Sequence, residues 1–425
     1  MIPLILQRSE HPISRKMIDE EALKVLYRLH HHGFLSYLVG GSVRDLLLGR
    51  IPKDFDVATN AHPHEINALF KNSRIIGRRF RLVQVFFKGG KIIEVSTFRS
   101  RSEFEEVQTE EGDIIRTDSF GTPAEDALRR DITINGLFYN IADFSIIDYV
   151  GGMADLERRI IRTIGDPDER FQQDPVRMIR TIRHSARTGF SIKDQTYQAI
   201  LQHREEIRKC SPSRLRDEFL RELKEGVAGS SLQLMLQTRL LFSLFPDLER
   251  ALGDRSLSGK KAQEFFLSLF DLVDQLIKTG RRVSESILLA LFLTPFLRAI
   301  TPQHPFIGKR EKYLYMMQTI RWAVHQILTP FSFPRGSKEM AYQILMAQSN
   351  LKKAIEKGVI FKKLRMKKYF KEAILLFGIE AQARGEKVPR IIQNAAPSDL
   401  LPWWHRELKR KHRRFGKHPS LPYRH

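Results

Sequence analysis

The sequence has a single cysteine, Cys210. That excludes an internal disulfide and any zinc site built on several thiolates. Such a chain suits a reducing compartment, and the expected location is the cytoplasm. Long apolar runs are missing as well. The longest, ILLALFLTPFL at 287–297, contains Pro295 and falls short of a membrane span. It predicts a buried helix that breaks at the proline. The apolar opening MIPLIL meets charged residues at once and is too short for a secretory signal. Acids are scarce relative to bases: 49 Asp and Glu stand against 71 Lys and Arg, for a net charge of +22. That surplus calls for an anionic partner, nucleic acid before any membrane.

With 425 residues, 42% of them hydrophobic, the chain can build several domains with real cores. The first 150 residues alternate helix and strand patterns. Residues 19–32 space Leu23, Leu26 and Tyr27 for one helical face. FLSYLVGG reads as a strand ending in a glycine turn, VRDLLLG as a short helix closed by Gly49, and DFDVAT as a strand. HPHEINALFK is a helix, while RLVQVFF, KIIEVSTFR and FSIIDYV are strands. Residues 100–125 are polar, lack a period and read as a loop. From about 155 onward strand signals fade, and helix follows helix with breaks at Gly189, Pro212, Pro295, Pro330 and Pro334. No fixed repeat is present, which excludes a solenoid. The end is strongly basic: FKKLRMKKYFK at 361–371, then 402–425 with Trp403 and Trp404.

The chemistry concentrates in LVGGSVRDLLLGRIPKDFDVATN, residues 38–60. Asp54 and Asp56 are two apart on a predicted strand, so both carboxylates face one way. Paired acids on one face repel unless a cation sits between them, and magnesium suits carboxylate and phosphate oxygens. Gly40 and Gly41 leave backbone N–H groups open to a triphosphate, and Arg44 adds positive charge. An isolated Asp-x-Asp would be a solvated edge strand; the preceding Gly-Gly turn and helix argue for a site.

This segment resembles the first motif of the DNA polymerase β-like nucleotidyltransferases, and more closely the class II branch that holds bacterial poly(A) polymerases and CCA-adding enzymes. The resemblance is strongest over residues 13–225. It implies an α+β fold: a polymerase β-like head with a mixed sheet at 1–155, a helical nucleotide-recognition and neck region at 156–225, a helical RNA-binding body at 226–400 and a basic tail at 401–425. It also implies two magnesium ions, ATP as substrate and RNA 3′ ends as partner. Asp54 and Asp56 then hold metal, with Glu94 as a third acid; Glu94 as a partly buried structural acid is the alternative. RRDITIN at 129–135 resembles the family's second motif, which implies nucleotide contacts for Arg130 and Asn135 and an active-site role for Asp131. QDPVRMIRTIRH at 173–184 resembles a later motif in which an acid and an arginine read the base edge. That role falls to Asp174 and Arg177, an acceptor and a donor that match adenine, with Arg180 and Arg183 beyond them. This chain departs from that motif in having Gln173 for Glu and His184 for an aromatic residue. PSRLRDEFLREL at 212–223 resembles the neck helix, where Arg214 and Glu218 are placed to pair.

Two chemistries share these motifs. RIIGRRFRLVQVFF at 74–87 fits the pattern of the poly(A) branch, whereas CCA-adding relatives carry a His-Gly-Thr-like stretch there. The expected activity is template-independent adenylation of RNA 3′ ends. Addition of CCA to tRNA is the alternative; a non-catalytic RNA-binding protein and a small-molecule nucleotidyltransferase are further ones.

Overall fold

Asp19 starts the first helix, α1 (Glu20–His31), by accepting from Glu21 N at 3.0 Å and Ala22 N at 3.4 Å, which satisfies two otherwise orphaned donors. Ala22, Val25, Leu26 and Leu29 recur at three- and four-residue steps and are buried, the stripe that fastens a helix to a sheet. The computed structural model describes residues 2–77, 81–100, 120–254, 256–300 and 308–396, with the backbone of two strands at 105–108 and 114–117. Two units divide the chain: Met1–Ser211 with Gln233–Leu244, and Pro212–Leu232 with Phe245–His425.

The first unit is organised by an eight-stranded sheet. Its strands are β1 (Leu4–Leu6), β2 (Ser36–Val39), β3 (Asp56–Thr59), β4 (Ser73–Ile76), β5 (Leu82–Phe86), β6 (Ile92–Thr97), β9 (Leu137–Asn140) and β10 (Ile146–Asp148). β7 (Glu105–Gln108) and β8 (Ile114–Thr117) form a separate antiparallel ribbon. The order is β1-β10-β9-β2-β3-β6-β5-β4. Every pairing is antiparallel except β3 with β6. Leu38, Val57, Val83, Val95 and Tyr139 from the sheet meet Val25, Leu26 and Leu29 of α1 in one core; each such side chain contributes roughly 1.5–3 kcal/mol on burial.

Around the sheet lie α2 (Gly41–Leu47), α3 (Pro63–Leu69), α4 (Pro123–Arg129) and α5 (Gly152–Arg158). They are followed by α6 (Pro167–Gln173), α7 (Val176–Thr188) and α8 (Asp194–His203). The 100–125 stretch is not one loop. It contains the β7–β8 ribbon and the start of α4, where Thr122 and Glu125 close a capping box with bonds of 2.8 and 3.3 Å. Strand structure also persists past 155, in the parallel two-residue pair β11 (Ile160–Ile161) and β12 (Ser191–Ile192).

The remaining helices are α9 (Pro212–Lys224), α10 (Ala228–Gln237), α11 (Leu240–Leu244), α12 (Glu249–Leu252), α13 (Leu257–Lys278) and α14 (Glu285–Ile300). After these come α15 (Lys309–Leu328), α16 (Arg335–Glu356), α17 (Lys362–Arg365), α18 (Phe370–Ala383) and α19 (Arg390–Gln393). The second unit centres on phenylalanines. Phe245 stacks on Phe331 at 4.3 Å and meets Phe292 at 4.6 Å, with Phe219 alongside. Pro295 does not break its helix, against expectation: α14 runs through it to Ile300. Residues 287–296 are all buried, and that packing outweighs an interior proline's cost of about 3 kcal/mol. No helix among the described residues is long and apolar enough to cross a membrane. Trp403, Trp404 and the rest of 401–425 lie outside the described residues, as do positions 78–80 of the 74–87 segment.

Candidate active site

The sheet brings the predicted acids together at one end of β3. This strand begins at Asp56, so Asp54 lies just ahead of it, after Pro52, rather than on it as the sequence suggests. Asp56 is paired with Val39 on one side and with Glu94 on the other. In-register neighbours point to the same face, so Asp56 and Glu94 share a surface. Gln84, next along on β5, donates through Nε2 to Glu94 Oε1 at 3.0 Å. Asp54, Asp56 and Glu94 are all exposed. None of them makes an ion pair among the described residues, although the chain carries 71 basic residues.

Asp56 opens to solvent but is hemmed in by protein. That desolvation, with the charges of Glu94 and Asp54, pushes its carboxyl up to about 6, against the pull of Arg130. Clustered acids held short of counter-charge are the donor set a hard cation requires. No group of three or more His, Cys, Asp or Glu side chains forms a metal cage among the described residues. The fit is therefore to an open site with two protein carboxylates, completed by substrate oxygens, which is how magnesium is commonly held.

Gly40 borders this cluster. Its φ is +74°, a conformation that L-residues rarely adopt. A Cβ there would come within 3.1 Å of Arg130 Nη1. Arg130 ends α4, donates to Asp126 Oδ2 at 2.8 Å and lies 5.2 Å above the Phe138 ring. Glycine turn, arginine and acids thus form one neighbourhood.

Asp131 is held by two arginines. Arg177 Nη1 donates to its Oδ1 at 2.8 Å, and Arg180 Nε pairs with its Oδ2 at 2.9 Å. Arg180 also donates to Asp174 Oδ2 at 3.0 Å, with Arg177 Nε 3.6 Å from the same oxygen. Two acids and two arginines form a partly buried cluster. Asp174 caps the end of α6 instead of sharing a helix with Arg177, and Pro175 separates it from α7.

Three predicted contacts take other places. Arg44 is completely buried. Its Nε and Nη2 donate to Asp45 Oδ1 at 2.9 and 2.8 Å, and its Nη1 to Asn135 Oδ1 at 2.7 Å. It is a strut of the fold, not a phosphate contact. Asn135 is engaged in the same network through Arg44 and through Nδ2, 3.2 Å from His184 Nε2. Arg183 is only 3% exposed and sits inside the packing of α7.

Several participants escaped the sequence reading. His184 is not a packing substitute: it joins Asn135, and its Nδ1 lies 3.4 Å from Arg44 Nη1. Burial, then the charges of Arg44, Arg183, Arg187 and Arg180, hold its pKa well below the ordinary imidazole value, so the ring is a neutral acceptor at physiological pH. Arg187 closes the network on Asp45 Oδ2 at 2.8 Å. Arg170 donates to the carbonyls of Arg129 and Arg130 at 2.7 and 2.9 Å and fixes the turn that presents Asp131. The row Arg177, Arg180, Arg183 on α7, close after Asp174, carried a signal for such pairing; the partners of Arg44 did not.

A mixed sheet with acids clustered beside a glycine turn, followed by helices, defines the head of a nucleotidyltransferase. Residues 36–162 match the family model of the poly A polymerase head domain, and residues 189–252 match a probable RNA and SrmB-binding site of polymerase A. The chain is thus similar to poly(A) polymerases and CCA-adding enzymes, and it spans less than two thirds of the length of the curated relatives it matches. It is 43% identical over 301 residues to the poly(A) polymerase I of Salmonella typhi, covering 69% of this chain and 64% of that protein's length. It is 37% identical over 229 residues to a CCA-adding enzyme of Bacillus pumilus, covering 54% of this chain and 56% of the relative. Its fold is similar to that of the Bacillus stearothermophilus CCA-adding enzyme in complex with CTP, with a TM-score of 0.63 at 25% identity, covering 90% and 82% of the two chains.

Proposed function

We propose that the chain transfers AMP from ATP to RNA 3′ ends without a nucleic-acid template. The RNA 3′-oxygen bonds to the α-phosphorus as the bond to pyrophosphate breaks. The single observation that carries this reading is Asp56 beside Glu94, with Asp54 adjacent, three acids without ion-pair partners among the described residues. The longer and stronger match to a poly(A) polymerase than to a CCA-adding enzyme favours ATP over CTP. The segment 74–87, which carries the poly(A)-type pattern, contributes Gln84 to the acid group through Glu94.

A nucleotide substrate and a metal requirement go with the family; we assign the metal as magnesium, held by Asp54 and Asp56 with Glu94 beside them. Bound there, it supplies charge that acidifies the 3′-hydroxyl and neutralises the triphosphate. Gly40 and Gly41 keep the backbone uncovered for phosphate to approach, and Arg130 adds a cation on the same side. Asp131 is a positioning residue: by engaging Arg177 and Arg180 it fixes the direction of both guanidiniums. Arg177 and Asp174 then offer a donor to adenine N1 and an acceptor to N6. Placement and charge stabilisation account for most of such a reaction's acceleration. We assign 1–155 as catalytic head, 156–225 as recognition and neck region, 226–400 as RNA-binding body and 401–425 as tail, acting in the cytoplasm.

The test supplies ATP or CTP singly, labelled, to an unstructured RNA and to a tRNA lacking its CCA end. Long A tails on both RNAs are expected. Terminating, CTP-dependent addition on tRNA alone would assign CCA addition instead. Activity retained by Asp54→Ala with Asp56→Ala would overturn the metal assignment.

A further inference from the structure

α16 ends in a tight reversal. Gly358, at φ +67°, lets its N–H reach Ile355 O at 3.1 Å while Val359 N bonds Ala354 O at 3.0 Å. Ile360, Leu364 and Phe370 are then buried and pin the following segment, including α17, to the second unit. With those three facing inward, the polar side chains can only face out. Residues 352–371 carry nine Lys and Arg against one acid, Glu356, and all nine bases are exposed. None of them makes an ion pair among the described residues. That is costly crowding of like charge unless an anion shares the surface. Apolar groups stand among the cations: Phe361 is 53% exposed and Met366 76%, with Lys357 Nζ 5.7 Å from the Phe361 ring centre.

We infer that segment 352–371 is a docking surface for single-stranded RNA. Lysines at this density neutralise phosphates without regard to sequence. An exposed ring among them gives an unpaired base a face on which to stack, a feature that a duplex, with its bases already stacked, cannot use. The surface lies outside residues 189–252, which match the RNA-binding family model. The inference rests on RNA being the substrate, yet it is measured without ATP, so loss of docking is distinguished from loss of catalysis.

The experiment compares the full chain with K362Q/K363Q/R365Q/K367Q/K368Q and, separately, with Phe361→Ala. Binding of a labelled 20-mer oligo(A) is followed by fluorescence anisotropy over a salt series, with circular dichroism as the check on folding. Removing five phosphate contacts lowers the slope of log K against log salt by about 3.5, at roughly 0.7 per contact for single strands. At low salt the affinity falls more than tenfold. Phe361→Ala weakens oligo(A) about fivefold or more, by loss of stacking, and leaves the salt slope unchanged. A folded five-site variant with unaltered affinity and slope overturns the proposal. So does a variant that keeps oligo(A) but loses binding to phosphatidylglycerol vesicles or to a poly-glutamate peptide, which would assign the surface to a membrane or an acidic protein.

Discussion

Asp56 and Glu94 stand opposite each other across the one parallel pairing of the eight-stranded sheet. The burial of Asp56, and after it the repulsion from Glu94, has a pH signature. The Asp56 carboxyl titrates at about 6 in the fold and near 3.9 in an unfolded chain. Between those values the folded state holds a proton that the unfolded state has released, so this group's contribution to stability falls as pH rises through the window. Metal-free Asp56→Asn is expected to melt above the parent protein at pH 8, with the difference closing toward pH 4. AMP transfer by the same variant is expected to be lost. Calorimetry checks the first outcome; a variant melting lower at pH 8 would contradict an Asp56 carboxylate strained by burial and by Glu94.

Gln84 steadies Glu94 through one exposed hydrogen bond. Gln84→Leu removes it, worth about 1 kcal/mol, and kcat is expected to drop roughly fivefold with KM for ATP unchanged. Gln84→Glu, which adds a like charge instead, should slow turnover further. Steady-state kinetics with a fixed RNA primer reads both.

Asp131 is argued to orient guanidiniums rather than to bind metal. Asp131→Asn keeps the shape and removes the charge that Arg177 and Arg180 share. It should raise KM for ATP and loosen discrimination against CTP about tenfold, while the dependence of rate on magnesium concentration stays as in the parent. The stability cost is about 2 kcal/mol for charge-assisted bonds lost in a partly buried cluster. A shift in magnesium requirement would instead place Asp131 among the groups that hold metal.

Arg44 is expected to matter for folding alone. A lysine cannot reproduce three guanidinium bonds in a dry site, so Arg44→Lys should lose about 3 kcal/mol or more. The loss is read as a lower urea midpoint. KM for ATP, measured well below the melting range, should remain near the parent value.

The elements with a clean period were legible in the sequence: α1 from its apolar stripe, β2 and β5 from their apolar runs, β6 from its alternation. The Asp54–Asp56 pair was legible from its two-residue spacing, and Glu94 was expected beside it only through the resemblance; the pairing of β3 with β6 brings Glu94 next to Asp56. Other features depend on distant contacts. Arg44 looks like a free cation until Asn135 and His184, 91 and 140 residues away, arrive beside it. The ribbon of β7 and β8 is hidden because EEVQ and IIRT are four-residue segments with no apolar alternation to mark them. Pro295 signals a break that nine buried neighbours override. Asp54 lies off the strand because Pro52 delays its start, a boundary that alternation alone does not mark.

The Asp131–Arg177 bond joins segments 46 positions apart. The turn at 129–135 and the start of α7 therefore behave as one exchangeable module. A chimera that imports residues 173–184 from a CCA-adding relative brings in guanidiniums tuned to another carboxylate turn. Efficient switching of base preference should require both pieces to travel together, and each transplanted alone should give a slow enzyme of mixed taste.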